Sequence, residues 1–164
     1  MNTACAWIAV SLVVFFLPLQ AAAESTPLSD FPSFAWPVEG KIIDDDDGKR
    51  SAASTEGIDI LVPEGTEVRA SLTGTVIYAG NSLQALGNLI LIRHEGGWVT
   101  VYGHNSELFV NRGEEVQTGD VIAKSGKTGY VSRPELHFEI RKKNAPWNPA
   151  EYLPLLKLQD LDNP

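Results

Sequence analysis

Cysteine and positive charge are both scarce in this sequence. Its single cysteine, Cys5, lies in an apolar N-terminal stretch, so the rest of the chain has no disulfide and no thiol chemistry. A chain of 164 residues can instead be held by one ordinary apolar core. The 13 Lys and Arg face 21 Asp and Glu, a formal net charge of −8. This charge argues against binding nucleic acid or anionic lipid through bulk electrostatics, and it favours a partner with a basic patch.

The first 23 residues carry no charged side chain at all. Ala4–Leu17 is nearly all apolar, and Ala21–Ala23 supplies small residues at the spacing that signal peptidase accepts. We therefore predict a signal peptide over residues 1–23. The alternative is an uncleaved N-terminal membrane anchor, because Ala4–Ala23 is just long enough to span a bilayer. Either interpretation predicts export to the periplasm or cell envelope.

Amphipathic helical periodicity is also missing before Pro149, and only one short helical turn is expected, over Pro149–Leu158. Short β-type runs separated by glycine predict an all-β fold with few or no helices outside the signal segment. Glu95–Gly97 between two of these runs predicts a hairpin turn. The runs are Ile58–Val62, Glu67–Ala70, Gly74–Ala79, Asn88–His94, Trp98–Tyr102, Asp120–Ser125 and Leu136–Arg141.

A short internal repeat runs through the β-type segments. Gly65–Val68 leads to Gly74–Ile77, and Gly113–Val116 leads to Gly119–Ile122. Both copies read G-x-E-V, then a spacer, then G-x-V-I. Two similar β-units predict a compact antiparallel β-sandwich or barrel-like core built on a duplicated motif.

Composition also suggests the domain boundaries. Residues 24–33 form a short polar lead with two prolines that we predict to be disordered, residues 34–157 the folded domain, and residues 158–164 a C-terminal tail. Asp44–Ser54 contains four consecutive aspartates but lacks the spaced ligands of an EF-hand loop, so we predict a solvated surface loop.

Two segments place polar side chains where chemistry is plausible. Asp59 lies between two apolar neighbours in a strand, which is costly unless the carboxylate is paired, hydrogen-bonded or metal-bound. Glu135 and His137 are two apart in another strand and share one face. His104 closes a strand and by alternation is expected on the face of Tyr102. The remaining histidine, His94, is more typical of a structural residue.

These segments resemble the LytM/lysostaphin-type zinc endopeptidases, which cut peptidoglycan peptides. The resemblance covers about Phe34 to Leu156 and is carried by several ordered motifs: Trp36–Val38, Glu56–Ile60, Pro63–Thr66, Gly74–Gly80, Tyr102–His104, Leu136–Ile140, Asn148–Pro149 and Tyr152–Pro154. It implies that Asp59 and His137 stand at zinc-ligand positions and that His104 stands at the position of a histidine that assists the bound water.

Two further positions depart from that pattern. Thr55 stands where the resemblance implies another zinc-ligand histidine, and Glu135 stands where it implies a second assisting histidine. A catalytic zinc normally has three protein ligands and a water, so we expect a degenerate domain with no metal and no cofactor. The alternative is an altered ligand set in which Glu135 supplies the third donor and zinc is retained.

We consider three hypotheses of function, the first of which the resemblance implies. The first is a catalytically inactive regulator or activator of peptidoglycan amidases in cell-wall remodelling or division. The second is a metal-dependent peptidoglycan endopeptidase with an altered ligand set, and the third is a non-catalytic module that binds peptidoglycan peptides. The expected partners are a cell-wall amidase or other hydrolase and peptidoglycan, with no nucleic acid, and a membrane only if the N-terminal segment stays as an anchor. Tyr130, Ser132 and Arg133 are expected to wall the partner groove.

Overall fold

Antiparallel β-structure dominates the computed structural model, which describes residues 32–43 and 57–154. These residues form eleven strands and two single turns of 3-10 helix, at Glu95–Gly97 and Pro149–Glu151. The strands are β1 (Lys41–Ile43), β2 (Ile58–Leu61), β3 (Glu67–Arg69), β4 (Gly74–Gly80), β5 (Asn88–Arg93), β6 (Trp98–Asn105), β7 (Glu107–Leu108), β8 (Glu115–Val116), β9 (Val121–Lys124), β10 (Glu135–Lys142) and β11 (Ala145–Trp147).

The larger sheet has eight strands, in the order β1-β2-β10-β6-β5-β4-β8, with β11 also paired to β10. Alternation along the central strand β10 separates its two faces. Leu136, Phe138 and Ile140 point into the core and are fully buried. Phe138 packs there against Tyr102 of β6, with ring centroids 5.4 Å apart. The opposite face of β10 carries the polar residues of the candidate site.

The internal repeat links the larger sheet to a second sheet of three strands, β3-β9-β7. The first copy forms β3 and β4, the second copy forms β8 and β9, and each strand pairs with a strand of the other copy: β3 with β9 and β4 with β8. The connections also meet, because the Thr118 backbone N–H donates to Thr73 Oγ1 at 3.1 Å. Each copy therefore contributes one strand to each sheet and pairs there with a strand of the other copy.

The prediction of an all-β antiparallel fold is confirmed. Each of the seven predicted runs forms a strand, although the run at Trp98–Tyr102 continues to Asn105. The predicted hairpin turn is present as well, since His94 N–H donates to Trp98 O at 2.8 Å. Strands β1, β7, β8 and β11 lie outside the seven predicted runs, because a pairing of two or three residues leaves no alternating pattern long enough to detect. The residues of β8 were noted only as part of the internal repeat.

Several predictions fall outside the described residues. They are the signal peptide over residues 1–23, the lead up to residue 31, the aspartate-rich loop, Thr55 and the tail over residues 158–164. Within the described ranges, no helix has the length and apolar character needed to cross a membrane.

Candidate functional site

The register of the larger sheet brings Asp59 and His137 directly opposite each other on β2 and β10. Residues opposite each other in an antiparallel pair share a face, so both side chains project on the polar side of the sheet. Asp59 Oδ1 lies 2.6 Å from His137 Nδ1. Both side chains are buried, with His137 only 4% exposed. The two residues that the sequence placed at metal-ligand positions therefore form a buried, hydrogen-bonded pair.

Glu139 completes the surroundings of His137, and sequence reasoning missed it. Glu139 Oε1 lies 2.9 Å from His137 Nε2, on the side of the ring opposite Asp59. Glu139 Oε2 in turn lies 2.9 Å from Arg141 Nε, in an ion pair whose N–H is not aligned as a hydrogen bond. The signal was available, because Glu139 continues the two-residue alternation that groups Glu135 with His137.

The two carboxylates determine the protonation state of His137. Burial by itself would lower the pKa of this imidazole, but the hydrogen bonds and negative charges of Asp59 and Glu139 outweigh burial and raise the pKa to about 9. A carboxylate can only accept, so both ring nitrogens must donate. At neutral pH His137 is therefore an imidazolium held between two carboxylates.

His104 also reaches the polar side of the sheet, although alternation predicted it on the face of Tyr102, which is buried in the core. That prediction is wrong because His104 has a positive φ of 64°, which breaks the alternation of β6. Its ring centroid lies 5.9 Å from that of His137, and its Nδ1–H donates to Thr128 O at 2.8 Å. The neighbouring Gly103 leaves room for the His137 side chain, since a Cβ at residue 103 would lie 3.3 Å from the Cβ of His137.

Glu135 lies at the start of β10, beside the loop over residues 125–134. Its backbone N–H donates to Gly126 O at 3.1 Å, and its Oε2 lies 3.4 Å from Arg133 Nε. On β2 it faces Leu61. Glu135, which we predicted to stand at the position of an assisting histidine, therefore has an arginine as its ion-pair partner.

The arrangement of these donors does not fit a catalytic zinc ion. A carboxylate that holds one ring nitrogen, as Glu139 holds His137, is typical of the groups that orient metal-ligating histidines. However, two donors on one tetrahedral zinc are about 3.3 Å apart, whereas Asp59 Oδ1 and His137 Nδ1 are at hydrogen-bond distance and share a proton. The described ranges contain no group of three His, Cys, Asp or Glu suited to a metal ion. Thr55, which we predicted to stand at the third ligand position, lies outside them.

The predicted groove residues lie in the loop that leads into β10. Tyr130 is 76% exposed, and its backbone N–H donates to Ala85 O at 3.0 Å. Ser132 and Arg133 follow on the same loop. The loop over residues 81–87, which carries Ala85, therefore lies beside the predicted groove residues, and sequence reasoning did not name it.

A cavity of about 500 Å³ is lined by none of these residues. It lies between the start of β4 and the end of β5, where His94 contributes to its wall. His94 Nδ1–H donates to Thr73 O at 2.9 Å, and its Nε2 lies 2.8 Å from Thr100 Oγ1. Both ring nitrogens are thus used in structural hydrogen bonds, in agreement with the interpretation of His94 as a structural residue.

The fold and the site together define a peptidase-type β-domain in which ion pairs occupy the centre of the site. The chain belongs to peptidase family M23, whose family model matches residues 53–149. Among solved structures, a zinc-containing peptidase from Vibrio cholerae is similar, with a TM-score of 0.62 and 28% identity over 71% of this chain and 39% of that chain.

Two relatives in the family carry informative names. The murein hydrolase activator NlpD of Escherichia coli is 42% identical over 130 residues, which span 79% of this chain and 33% of the relative. The cell division protein DipM of Caulobacter vibrioides is 40% identical over 127 residues, which span 74% of this chain and 21% of the relative. The chain thus spans a third or less of the length of these two proteins.

Proposed function

We propose that this protein is an exported, metal-free regulator that activates a cell-wall hydrolase of the amidase type. The observation that carries the proposal is the state of His137, whose two ring nitrogens are both occupied by carboxylates. A peptidase of this family needs zinc to polarise the peptide carbonyl and to lower the pKa of water. The names of the relatives NlpD and DipM support a role in murein hydrolase activation and cell division.

In this proposal the former catalytic residues have structural roles. Asp59 and His137 are the two residues that remain of a set of three zinc ligands, and Thr55 stands at the position of the lost ligand. His104 and Glu135 stand where the assisting histidines would be. Their hydrogen bonds and ion pairs join β2, β6 and β10 to the loop over residues 125–134, so the groove keeps its shape without a metal.

The groove itself is the proposed partner surface. Tyr130, Ser132 and Arg133 line one wall, and Tyr and Arg are residue types enriched at binding hot spots. The buried network beneath them holds strand β10 in place, which reduces the ordering cost when a partner binds.

A digestion assay tests the proposal. Dye-labelled peptidoglycan sacculi are incubated with the purified protein alone, with a purified amidase alone, and with both. We expect no release of dye by the protein alone and a marked increase when it is added to the amidase. Pretreatment of the protein with a chelator, which is then removed by gel filtration, should leave the stimulation unchanged.

Two results would contradict the proposal in different ways. Cleaved stem peptides released by the protein alone, and abolished by the chelator, would mean that it is a metallopeptidase with an altered ligand set. Binding to sacculi without stimulation of any amidase of the same organism would mean that it is a peptidoglycan-binding module.

A further inference from the structure

Exposed apolar side chains are concentrated around the candidate site. Of the large apolar residues in the described part of the chain, four are exposed: Leu61, Leu83, Phe109 and Tyr130. Leu61 is opposite Glu135 and is 38% exposed. Tyr130 (76%) and Leu83 (56%) lie on the two loops that wall the groove. We call Leu61, Leu83 and Tyr130 the apolar rim.

Hydrogen bonds hold the two wall loops together. Besides the bond from Tyr130 N–H to Ala85 O, Asn88 N–H donates to Thr128 Oγ1 at 2.9 Å. At Gly129 a Cβ would lie 2.5 Å from Ala85 O, so only glycine allows this approach. Leu83 closes its own turn by accepting from Leu86 N–H and Gly87 N–H. The rim is therefore preorganised, which favours binding of a partner with complementary apolar groups.

The charged residues of the two wall loops are of one sign. The loop over residues 81–87 has no charged residue, and Gly126–Pro134 contains only Lys127 and Arg133. Lys41 is opposite Leu61 on β1 and so shares its face. Lys41 and Lys127 are exposed. Although the whole chain has a net charge of −8, the charged residues of the two wall loops, together with Lys41, are all cations.

The carboxylates of the floor are less accessible than these cations. Glu139 lies beside Arg141 and Glu135 beside Arg133, while Asp59 and Glu139 both contact His137. They are also buried, at 7–8% exposure, whereas Lys41 and Lys127 face solvent. The two wall loops therefore present apolar side chains and Lys127 to an approaching molecule, and Lys41 lies beside Leu61.

We propose that the occupant of the apolar rim is an acidic amphipathic segment of the partner hydrolase. The inference rests on the proposed function and specifies the partner chemistry. Apolar side chains of the segment pack on Leu61, Leu83 and Tyr130, and its carboxylates lie against Lys41 and Lys127. Local charge thus reverses the expectation from net charge, which favoured a basic partner.

Charge reversal tests the electrostatic half of this proposal. The double variant Lys41→Glu/Lys127→Glu is compared with Arg112→Glu/Lys143→Glu, which changes net charge equally at exposed positions elsewhere. The readout is the protein concentration that gives half-maximal activation of an amidase of the same organism on dye-labelled sacculi. We expect about a tenfold increase for the rim variant and less than about a twofold change for the control. Added salt should weaken activation by the wild type more than by the rim variant.

Side-chain truncation tests the apolar half. Tyr130→Ala is compared with Phe109→Ala, which removes an exposed aromatic residue outside the rim. We expect Tyr130→Ala to raise the half-maximal concentration about tenfold and Phe109→Ala to leave it nearly unchanged. All variants should unfold at the wild-type temperature.

The outcomes separate this inference from the function on which it rests. If the wild type activates an amidase but the rim variant behaves like the control, the proposal of an acidic segment is wrong and the proposed regulator function stands. Stronger activation by the rim variant would mean a basic partner. If the rim variant loses binding to sacculi while its half-maximal concentration is unchanged, the rim takes a wall peptide instead. Failure of the wild type to activate any amidase would overturn both.

Discussion

His94 and His137 are each 4% exposed, yet the two regions around them differ in charge. The ring nitrogens of His94 hydrogen-bond to two neutral groups, Thr73 O and Thr100 Oγ1, and burial lowers its pKa in spite of the hydrogen bond to Thr73. His137 lies between Asp59 and Glu139, and its pKa is raised to about 9. The difference teaches that the partners of a buried imidazole, rather than burial itself, decide whether it is charged.

Among the changes that test this comparison, removal of each imidazole should have the largest effect on the free energy of unfolding. His137→Leu leaves two buried carboxylates without their shared cation, so we expect the free energy of unfolding to fall by about 4 kcal/mol. His94→Leu leaves two neutral groups without a partner, and about 2 kcal/mol should be lost. Urea denaturation of both variants measures these values. An equal or larger loss for His94→Leu would contradict the assignment of charge.

The two histidines should also give opposite pH dependence. The folded-state pKa of His137 lies above the unfolded value of 6.5. The stability contributed by its charged imidazole is therefore complete below pH 6.5 and is lost as the pH rises through 9. The full loss is on the order of 3 kcal/mol. The folded-state pKa of His94 is lowered, so its contribution is lost as the pH falls below 6.5.

The measurement is the difference in unfolding free energy between wild type and each leucine variant across this pH range. For His137→Leu the difference should shrink toward alkaline pH, and for His94→Leu it should shrink toward acidic pH. The same direction for both would show that their charge states do not differ.

Neutralising one carboxylate should have a smaller effect. Glu139→Gln keeps an acceptor for His137 but removes its charge, so the pKa of His137 should fall and about 2 kcal/mol of stability should be lost. NMR titration of the imidazole gives the pKa directly. As the matched control, Glu95→Gln next to His94 should leave the titration of His94 unchanged, since no charge contributes to its shift. An unchanged His137 midpoint in Glu139→Gln would exclude Glu139 as a cause.

Much of this fold could be predicted from the sequence, because alternating apolar residues mark each long strand. The crosswise pairing of the repeat could not, since motif order does not tell which strands meet. At the site, Asp59 and His137 were found by their unusual positions and by resemblance. Glu139 was missed although alternation pointed to it, and His104 was placed on the wrong face because a positive φ leaves no mark at a non-glycine residue.

The smallest expected effect belongs to the outermost ion pair. Arg133 is about one-third exposed beside Glu135, so solvent screens the pair, and Arg133→Ala should cost less than about 1 kcal/mol of stability. The same variant should nevertheless weaken amidase activation, since Arg133 lies on the proposed groove. A stability loss as large as that of Glu139→Gln would place Arg133 within the buried network rather than at its edge.

Zinc content tests the central claim most directly. The purified protein is equilibrated with a molar equivalent of zinc, passed through gel filtration and analysed by plasma mass spectrometry. We predict that the wild type retains far less than an equivalent, because His137 is occupied by carboxylates and because the proposal places Thr55 and Glu135 at positions that histidines would fill in a working site. The double variant Thr55→His/Glu135→His should retain more. A full equivalent of tightly held zinc in the wild type would contradict the account.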